Sequence, residues 1–421
     1  MQSSIKLRLT VMNFLQFAVW GAYLTSMGRY LGTAGFGSEI GNFYAMQGLV
    51  SLFMPALMGI VADRWIPAQR LLGLCHTLAG MLMLGVFLYT QTDAPSYPSL
   101  FALYSLSVAF YMPTLALSNS VAYTSLDQAG LDLVKSFPPI RVFGTVGFIC
   151  TMIAVSLLGL EATSGQFAVS AIISLVLAVY AQTLPNCPTA PKGQSKSLVE
   201  ALGLRAFVLF KQRKMALFFI FSMLLGVSLQ ITNGFANPFI STFGEIPAYA
   251  DTFGVKYANI LISLSQLSET LCILLIPFAL RRFGIRRVML IAMVAWVLRF
   301  ALLGLGNPGS GVWLFLLSMI VYGVAFDFFN VSGSLFVDKE TDPSIRSSAQ
   351  GLFMIMTNGI GATLGSLGAQ AVINHFVYSE HDTTAILAGW SMSWYIFATY
   401  AAVVAVLFAL LFRYNTATEA K

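Results

Sequence analysis

Twelve stretches of the sequence are each about as long and as apolar as a helix that crosses a lipid bilayer. Such a helix needs about 20 consecutive, mostly apolar residues. Only 10% of the residues are Asp, Glu, Lys or Arg, against about 25% in a typical soluble domain. The sequence therefore predicts an all-α polytopic membrane protein with twelve transmembrane helices. The predicted spans are 9–30, 39–61, 70–91, 98–122, 137–159, 164–184, 213–236, 256–280, 286–305, 311–336, 347–372 and 388–412.

A long polar connection divides the twelve spans into six and six. This division predicts an N-terminal six-helix bundle at 1–184, a cytoplasmic linker at 185–212 and a C-terminal six-helix bundle at 213–421. Two such halves are the repeat architecture of large secondary transporters. In the linker, Ser197-Leu-Val-Glu200 is typical of a capping box and precedes mixed apolar and basic residues. We expect an amphipathic helix on the inner membrane surface there, the alternative being a solvated linker.

The basic residues indicate how the chain is oriented in the membrane. With the N-terminus in the cytoplasm, only Arg29, Lys256 and Arg299 of the 23 Lys and Arg residues lie outside cytoplasmic segments. Cytoplasmic loops carry an excess of Lys and Arg, so this bias predicts that both termini are cytoplasmic. The net charge of +6 is then explained by topology, and no nucleic-acid partner is predicted.

Two acidic residues, Glu269 and Asp327, fall near the middle of apolar spans. A carboxylate in hydrocarbon costs roughly 2.5–3.5 kcal/mol on insertion scales, so such a residue usually faces a wet cavity or a partner. Burial penalises the charged form of a carboxyl group, which suits that group to carrying a proton. Gln266 shares the helical face of Glu269. The alternative for Glu269 is a structural carboxyl group hydrogen-bonded to a neighbouring helix.

Two side-chain amides lie in the seventh span. Gln230 and Asn233 are three residues apart and share a helical face. An amide offers both a donor and an acceptor, which suits a neutral ligand with amide or hydroxyl edges. Gly234 and Pro238 weaken the helix here, and interrupted helices are common at transporter sites. The alternative is that both amides form hydrogen bonds between helices.

Three residues of the fifth span, Arg141, Thr145 and Phe148, are spaced to share one helical face. Arg141 is either a cytoplasmic anchor that reaches the interface or a donor that faces the ligand and the acids.

Aromatic residues accompany Asp327 in the tenth span. Tyr322 and Phe326 share a face beside it, and they are either packing residues or walls for a flat ring. Gln16 and Trp20 of the first span are weaker candidates of the same kind.

Two short basic loops recur at the same place in both halves. Asp63 and Arg64 follow the second span, and Arg281 and Arg282 follow the eighth. These residues predict an inner gate whose ion pairs form in one state only, the alternative being simple anchoring by positive charge.

Several kinds of chemistry lack a motif in this sequence. It has no Walker A loop and no paired-histidine metal motif. Its four cysteines form no pattern typical of a disulfide or metal site, and His76 is expected to be a packed histidine. We therefore predict no cofactor, no bound metal and no enzymatic activity.

Five segments resemble the bacterial nucleoside:proton symporters of the major facilitator superfamily, which include the broad nucleoside and xanthosine permeases. They are Met54–Asp63, Phe137–Phe148, Leu229–Asn233, Ser265–Thr270 and Tyr322–Asn330. The resemblance covers nearly the whole chain and implies the twelve-helix fold, the inner membrane and a central nucleoside site. Its ligand contacts fall on Arg141, Thr145, Phe148, Gln230, Asn233, Gln266, Glu269, Tyr322, Phe326 and Asp327.

The resulting hypothesis is proton-driven uptake of nucleosides by alternating access. Its expected partners are a nucleoside, protons and the lipid bilayer, and the protein is expected to act as a monomer. Asp327 is the first candidate for the proton carrier, and Glu269 either shares that role or binds the ribose hydroxyls. The open alternatives are a sugar or drug transporter of the same fold and a nucleoside sensor that moves nothing.

Overall fold

A computed structural model describes residues 2–189, 204–343 and 345–414. Within these ranges the chain forms helices and turns and contains no β-strand. Nine helical segments of the described chain are long and apolar enough to cross a membrane, and Gly165–Ala181 is a shorter apolar helix. The protein is therefore a multi-pass membrane protein, as predicted.

Every predicted span coincides with helix. The helices that precede the linker are α1 (Gln2–Gly21), α2 (Met27–Thr33), α3 (Ile40–Ser51), α4 (Met54–Arg64), α5 (Ala68–Tyr89), α6 (Tyr97–Gln128), α7 (Leu133–Leu157) and α8 (Gly165–Ala181). Those that follow are α9 (Arg213–Leu229), α10 (Ile231–Thr242), α11 (Pro247–Ala250), α12 (Phe253–Lys256), α13 (Ala258–Leu305), α14 (Val312–Glu340), α15 (Arg346–Met354), α16 (Ala362–Ile373) and α17 (Thr383–Leu411).

Several spans are interrupted or bent. Turns at 22–26 separate α1 from α2 within the first predicted span. The seventh span is interrupted at Gln230, four residues before the Gly234 that was expected to weaken it. The eighth and ninth spans together form α13, which kinks at Gly284. In the eleventh span, Ile355–Gly361 is a π-helix.

The chain packs into two compact units. The first comprises the described parts of Met1–Tyr30 and Leu49–Leu202, and the second those of Leu31–Gly48 and Gly203–Lys421. Residues 31–48 thus pack with the second unit although they precede most of the first in sequence. The Gln370 side chain accepts a hydrogen bond from the Gly41 amide and donates one to the Gly37 carbonyl oxygen at 3.0 Å. The division at 1–184, 185–212 and 213–421 follows chain order and remains a prediction.

The linker is described only in part. The capping box at 197–200 and most of the predicted amphipathic helix lie outside the described residues. The adjoining segment, Leu204–Lys211, is a 3₁₀ helix. Ala206 and Leu209 are buried on it, whereas Phe207 is exposed.

Candidate functional site

In the first unit, close packing of α7 on α1 positions the predicted site residues. A Cβ atom on Gly147 would lie 2.1 Å from the carbonyl oxygen of Phe14, so only glycine lets the two backbones approach this closely. The next residue, Phe148, is buried against α1, and its ring meets that of Trp20 edge-to-face at 6.3 Å. The close backbone approach at Gly147 therefore fixes the position of Phe148 against α1.

Arg141 and Thr145 are half-buried on the same helix. The guanidinium carbon of Arg141 lies 4.0 Å from the centroid of the Phe17 ring. A cation over an aromatic face is attracted by the ring quadrupole, so α1 helps to hold this arginine in place. Its N–H groups suit recognition of ligand oxygens, since a guanidinium offers five donors in a fixed geometry.

A hydrogen-bonded network surrounds His76 behind the Trp20 and Phe148 rings. The Gln16 amide donates to Thr114 Oγ1 at 2.7 Å, and its Oε1 lies 2.8 Å from His76 Nε2. The Ser174 hydroxyl lies 2.9 Å from His76 Nδ1. Tyr111 donates to the Gln16 carbonyl oxygen at 2.9 Å, and its ring packs on Trp20 at 6.1 Å.

These distances assign a tautomer to His76. Because the Gln16 nitrogen donates to Thr114, its oxygen must accept from the imidazole, which places the proton on Nε2. Nδ1 is then an acceptor for the Ser174 hydroxyl, whose single proton is shared with the His76 carbonyl oxygen at 3.0 Å. His76 is thus a packed histidine, as expected from the sequence, and it supports the aromatic residues beside Phe148.

In the second unit, the two amides lie at the interruption between α9 and α10. The Asn233 side chain donates to Gln230 Oε1 at 2.9 Å, and both residues are half-buried. This bond uses one of the two N–H donors of Asn233 and leaves the Gln230 NH₂ group for other partners. The pair can therefore present a donor and an acceptor to a polar ligand edge.

The two intramembrane acids lie close together. Asp327 is 5% exposed, and its Oδ2 atom is buried without a hydrogen-bond partner among the described residues. Glu269 is half-buried and interacts with it electrostatically. An unsatisfied buried acceptor costs about 1–3 kcal/mol, and more when it is charged. Two like charges placed together in a membrane repel each other, so this pair is a candidate site for function.

Gly323 allows these acids to approach each other. A Cβ atom at this position would lie 2.5 Å from the carbonyl oxygen of Ser268, so a side chain here would push α14 away from α13. The Ser268 hydroxyl also donates to the Ile320 carbonyl oxygen across the same contact. Glu269 directly follows Ser268 on α13, and Asp327 lies one turn after Gly323 on α14.

Aromatic rings lie beside Asp327. Tyr322 and Phe326 stack with their centroids 5.6 Å apart and their planes 15° from parallel. Gln266 is half-buried on α13 and follows Ser265, whose hydroxyl donates to Met319 Sδ of α14 at 3.0 Å. Asn330 donates to the Phe326 carbonyl oxygen at 3.0 Å, so its amide is engaged within its own helix. The unit thus combines amides, acids and a flat aromatic surface.

The predicted gate residues lie at helix ends. Asp63 is half-buried and Arg64 exposed at the end of α4. Arg281 and Arg282 are exposed just before the kink of α13, and Arg281 Nε donates to the Pro277 carbonyl oxygen at 3.2 Å.

Sequence reasoning left one charged residue of this region without a role. Arg299 is 1% exposed on α13, and its guanidinium carbon lies 4.4 Å from the Tyr322 ring centroid. Its position in mid-span was the available signal, because intramembrane charges are usually functional. The sequence alone does not place it against Tyr322, since that contact depends on how the ninth and tenth spans pack.

Comparisons with known proteins place the chain in a family. A family model described as "Nucleoside H+ symporter" matches residues 3–417. Xanthosine permease of Escherichia coli is 49% identical over 415 residues, which cover 98% of this chain and 97% of that protein. Nucleoside permease NupG of Escherichia coli is 46% identical over 415 residues, with the same coverage.

A solved structure is also similar. The crystal structure of nucleoside transporter NupG has a TM-score of 0.89 and 45% identity, and covers 98% of this chain and 100% of that one. The structure of an Asp-to-Ala mutant of the same transporter has a TM-score of 0.91 and covers 97% of this chain and 100% of that one. The predicted major facilitator fold is therefore confirmed, and the similar proteins are permeases. On this evidence the chain belongs to the nucleoside H+ symporter family.

Proposed function

We propose that this protein carries nucleosides across the bacterial inner membrane together with protons, as a monomer with both termini in the cytoplasm. The family to which it belongs supports this activity. The high identity to a xanthosine permease and a nucleoside permease over almost the full chain supports nucleosides as the substrate class. Similarity to permeases along the whole chain favours transport over a sensor or an enzyme.

The surroundings of Asp327 are the observation that supports the proton-coupling proposal. It is buried, one of its oxygens has no partner among the described residues, and its close neighbour is a second acid. A protonated carboxyl group needs no counter-charge in such a place, whereas a carboxylate does. Asp327 therefore carries the proton, and Glu269 either shares it or accepts hydrogen bonds from the ribose.

Amides and aromatic rings bind the ligand. Gln230, Asn233 and Gln266 hydrogen-bond to polar edges of the nucleoside, since amides are both donors and acceptors. Phe148, Tyr322 and Phe326 flank the base, because every base has a π-face that can stack on an aromatic ring. Arg141 and Thr145 supply further donors.

Coupling follows if the proton and the nucleoside favour the same conformation, because a ligand shifts an equilibrium only by its differential affinity for the two states. Protonation of Asp327 permits the loaded site to close, and release of both ligands inside resets it. Asp63, Arg64, Arg281 and Arg282 form the inner gate, whose ion pairs exist in one state only.

Gradient-driven uptake in sealed proteoliposomes tests this proposal. Labelled uridine, and separately xanthosine, are added outside with an inward proton gradient. A potential of 100 mV supplies about 2.3 kcal/mol per charge, which corresponds to an accumulation of about 50-fold for neutral uridine moved with one proton. Asp327→Asn is expected to lose accumulation and to keep nucleoside exchange.

The matched control is Asp338→Asn. Asp338 lies on the same helix, its side chain is 52% exposed, and it pairs with Arg346 at 3.2 Å. This variant should accumulate uridine like the wild type. Accumulation by Asp327→Asn would overturn the proton assignment. Uptake of neither nucleoside by the reconstituted wild type would overturn the substrate class.

A further inference from the structure

A buried arginine, Arg299, lies behind the aromatic surface of the second unit. It is 1% exposed in the second half of α13, and it forms no ion pair with any residue that the structure describes. Placing a charge at this depth in a membrane is costly, so an intramembrane arginine calls for a function and a partner. The proton-carrying and ligand-binding roles proposed above do not involve Arg299.

The partners of Arg299 are a ring, uncharged oxygens and the Met319 sulfur, which lies 3.9 Å from Nη1. Its Nη1 group donates to the Ser318 carbonyl oxygen at 2.8 Å and to Ser265 Oγ at 3.3 Å. The Ser318 hydroxyl donates in return to the Arg299 carbonyl oxygen at 2.9 Å. These bonds fix the planar guanidinium, whose central carbon lies 4.4 Å from the centroid of the Tyr322 ring.

The segments tied together by Arg299 are those that carry the proposed site. Ser265 precedes Gln266 and lies one turn before Glu269 on the first half of α13. Ser318 lies one turn before Tyr322 on α14. Arg299 itself comes from the second half of α13, so one side chain joins three pieces of backbone. A shift in any of them would move the guanidinium relative to the ring.

The Tyr322 ring is the element on which these contacts converge. Besides Arg299, it meets the Trp296 ring edge-to-face at 5.9 Å and stacks on Phe326 at 5.6 Å. A desolvated cation attracts the face of an aromatic ring strongly, and Arg can do this with a rigid planar group where Lys cannot. The ring is thereby held in one orientation beside Asp327.

We propose that Arg299 is a positioning residue, which holds the Tyr322 ring so that the Tyr322–Phe326 stack presents a fixed flat surface to the nucleobase. The proposal rests on the proposed nucleoside site and adds a residue that does not touch the ligand. A preordered ring loses little freedom when the base binds, and this lowers the cost of binding. Loss of Arg299 therefore weakens nucleoside affinity through Tyr322.

A double-mutant cycle on the full-length purified protein tests this inference, with Kd for uridine measured by titration calorimetry. Arg299→Met should raise Kd about 30-fold, the size expected for a desolvated cation–π contact. In a Tyr322→Leu background the same change should alter Kd by less than about 2-fold, because the ring through which Arg299 acts is gone. Arg299→Lys should fall between the wild type and Arg299→Met.

A second arginine provides the matched control. Arg286 donates to the carbonyl oxygens of Ala409 and Phe412 near the end of α17 and lies away from Tyr322 in sequence and in contacts. Arg286→Met should lower Tm and leave Kd unchanged. If Arg299→Met does not fold, the cycle is run with Arg299→Lys, whose increase in Kd of about 3-fold should also disappear in the Tyr322→Leu background.

The possible outcomes separate this inference from the proposed function. Equal Kd values for the wild type and Arg299→Met would overturn the positioning role and leave nucleoside transport standing. The same increase in Kd with and without the Tyr322 ring would also overturn the positioning role, because that result indicates a general structural effect. A folded wild type that binds no nucleoside would instead contradict the proposed function and the inference with it.

Discussion

Each unit buries one acidic side chain almost completely, and the two acids have opposite surroundings. Glu161 in the first unit is 3% exposed, and Asp327 in the second is 5% exposed. Glu161 pairs with Arg29 at 3.2 Å and accepts a hydrogen bond from the Ser156 hydroxyl. Asp327 has a buried oxygen without a partner among the described residues, and its electrostatic neighbour is another acid.

Burial alone therefore does not identify a functional acid. Glu161 is buried together with an arginine and a hydroxyl that form charge-assisted hydrogen bonds with it, so it serves the structure of its unit. A buried carboxyl group without such partners is suited to exchange a proton. The same contrast holds for the His76 network, where a neutral imidazole meets Gln16 and Ser174. This contrast supports the proposal that Asp327, and neither Glu161 nor His76, carries the proton.

The largest expected effect on stability comes from breaking the ion pair of the first unit. Glu161→Gln leaves Arg29 without its carboxylate, and this should lower the free energy of unfolding by about 3 kcal/mol, the lower end of the range for a broken buried pair. The lower end applies because the Arg29 side chain keeps 19% of its surface exposed. Tm and chemical denaturation in detergent measure the change, while accumulation per folded molecule should be retained.

An exposed pair in the same unit controls for the loss of an acid. Asp132 and Lys135 lie 3.9 Å apart with side chains 52% and 85% exposed, so Asp132→Asn should change stability by no more than about 0.5 kcal/mol. If Glu161→Gln were no more harmful than this control, the structural role of Glu161 would be wrong.

A smaller effect of opposite sign is expected in the second unit. Asp327→Asn replaces a buried, incompletely paired carboxyl group by an amide of the same shape, which should leave stability unchanged or raise it by about 1 kcal/mol. The same Tm measurement checks this, side by side with Glu161→Gln. A fall comparable to that of Glu161→Gln would mean that Asp327 has a structural partner, and the comparison between the units would fail.

The membrane spans of the fold were predictable because a run of apolar residues is a strong local signal. What the sequence could not provide was the packing partner of each segment. Residues 31–48 pack with the second unit through Gln370, which is more than 300 positions away in the chain. The interruption at Gln230 also differs from the expected weak point, because neither Gly234 nor Pro238 marks where the helix breaks.

The candidate residues were predictable where polarity stands out against an apolar background, as for Glu269 and Asp327. Their surroundings were not predictable, because they depend on contacts between helices. The sequence left two interpretations of Arg141, and the structure places its guanidinium over Phe17. The contact of Arg299 with Tyr322 likewise requires the packing of the two halves of α13 with α14.

Proton uptake on nucleoside binding is the sharpest test of whether Asp327 carries the proton. Uridine is added to the purified protein in weakly buffered solution across the neutral pH range, and an indicator dye records the protons bound. We predict uptake by the wild type, by Glu161→Gln and by His76→Gln, and none by Asp327→Asn. Uptake that persists in Asp327→Asn, or that disappears in His76→Gln with uridine binding intact, would contradict the assignment of proton coupling to Asp327.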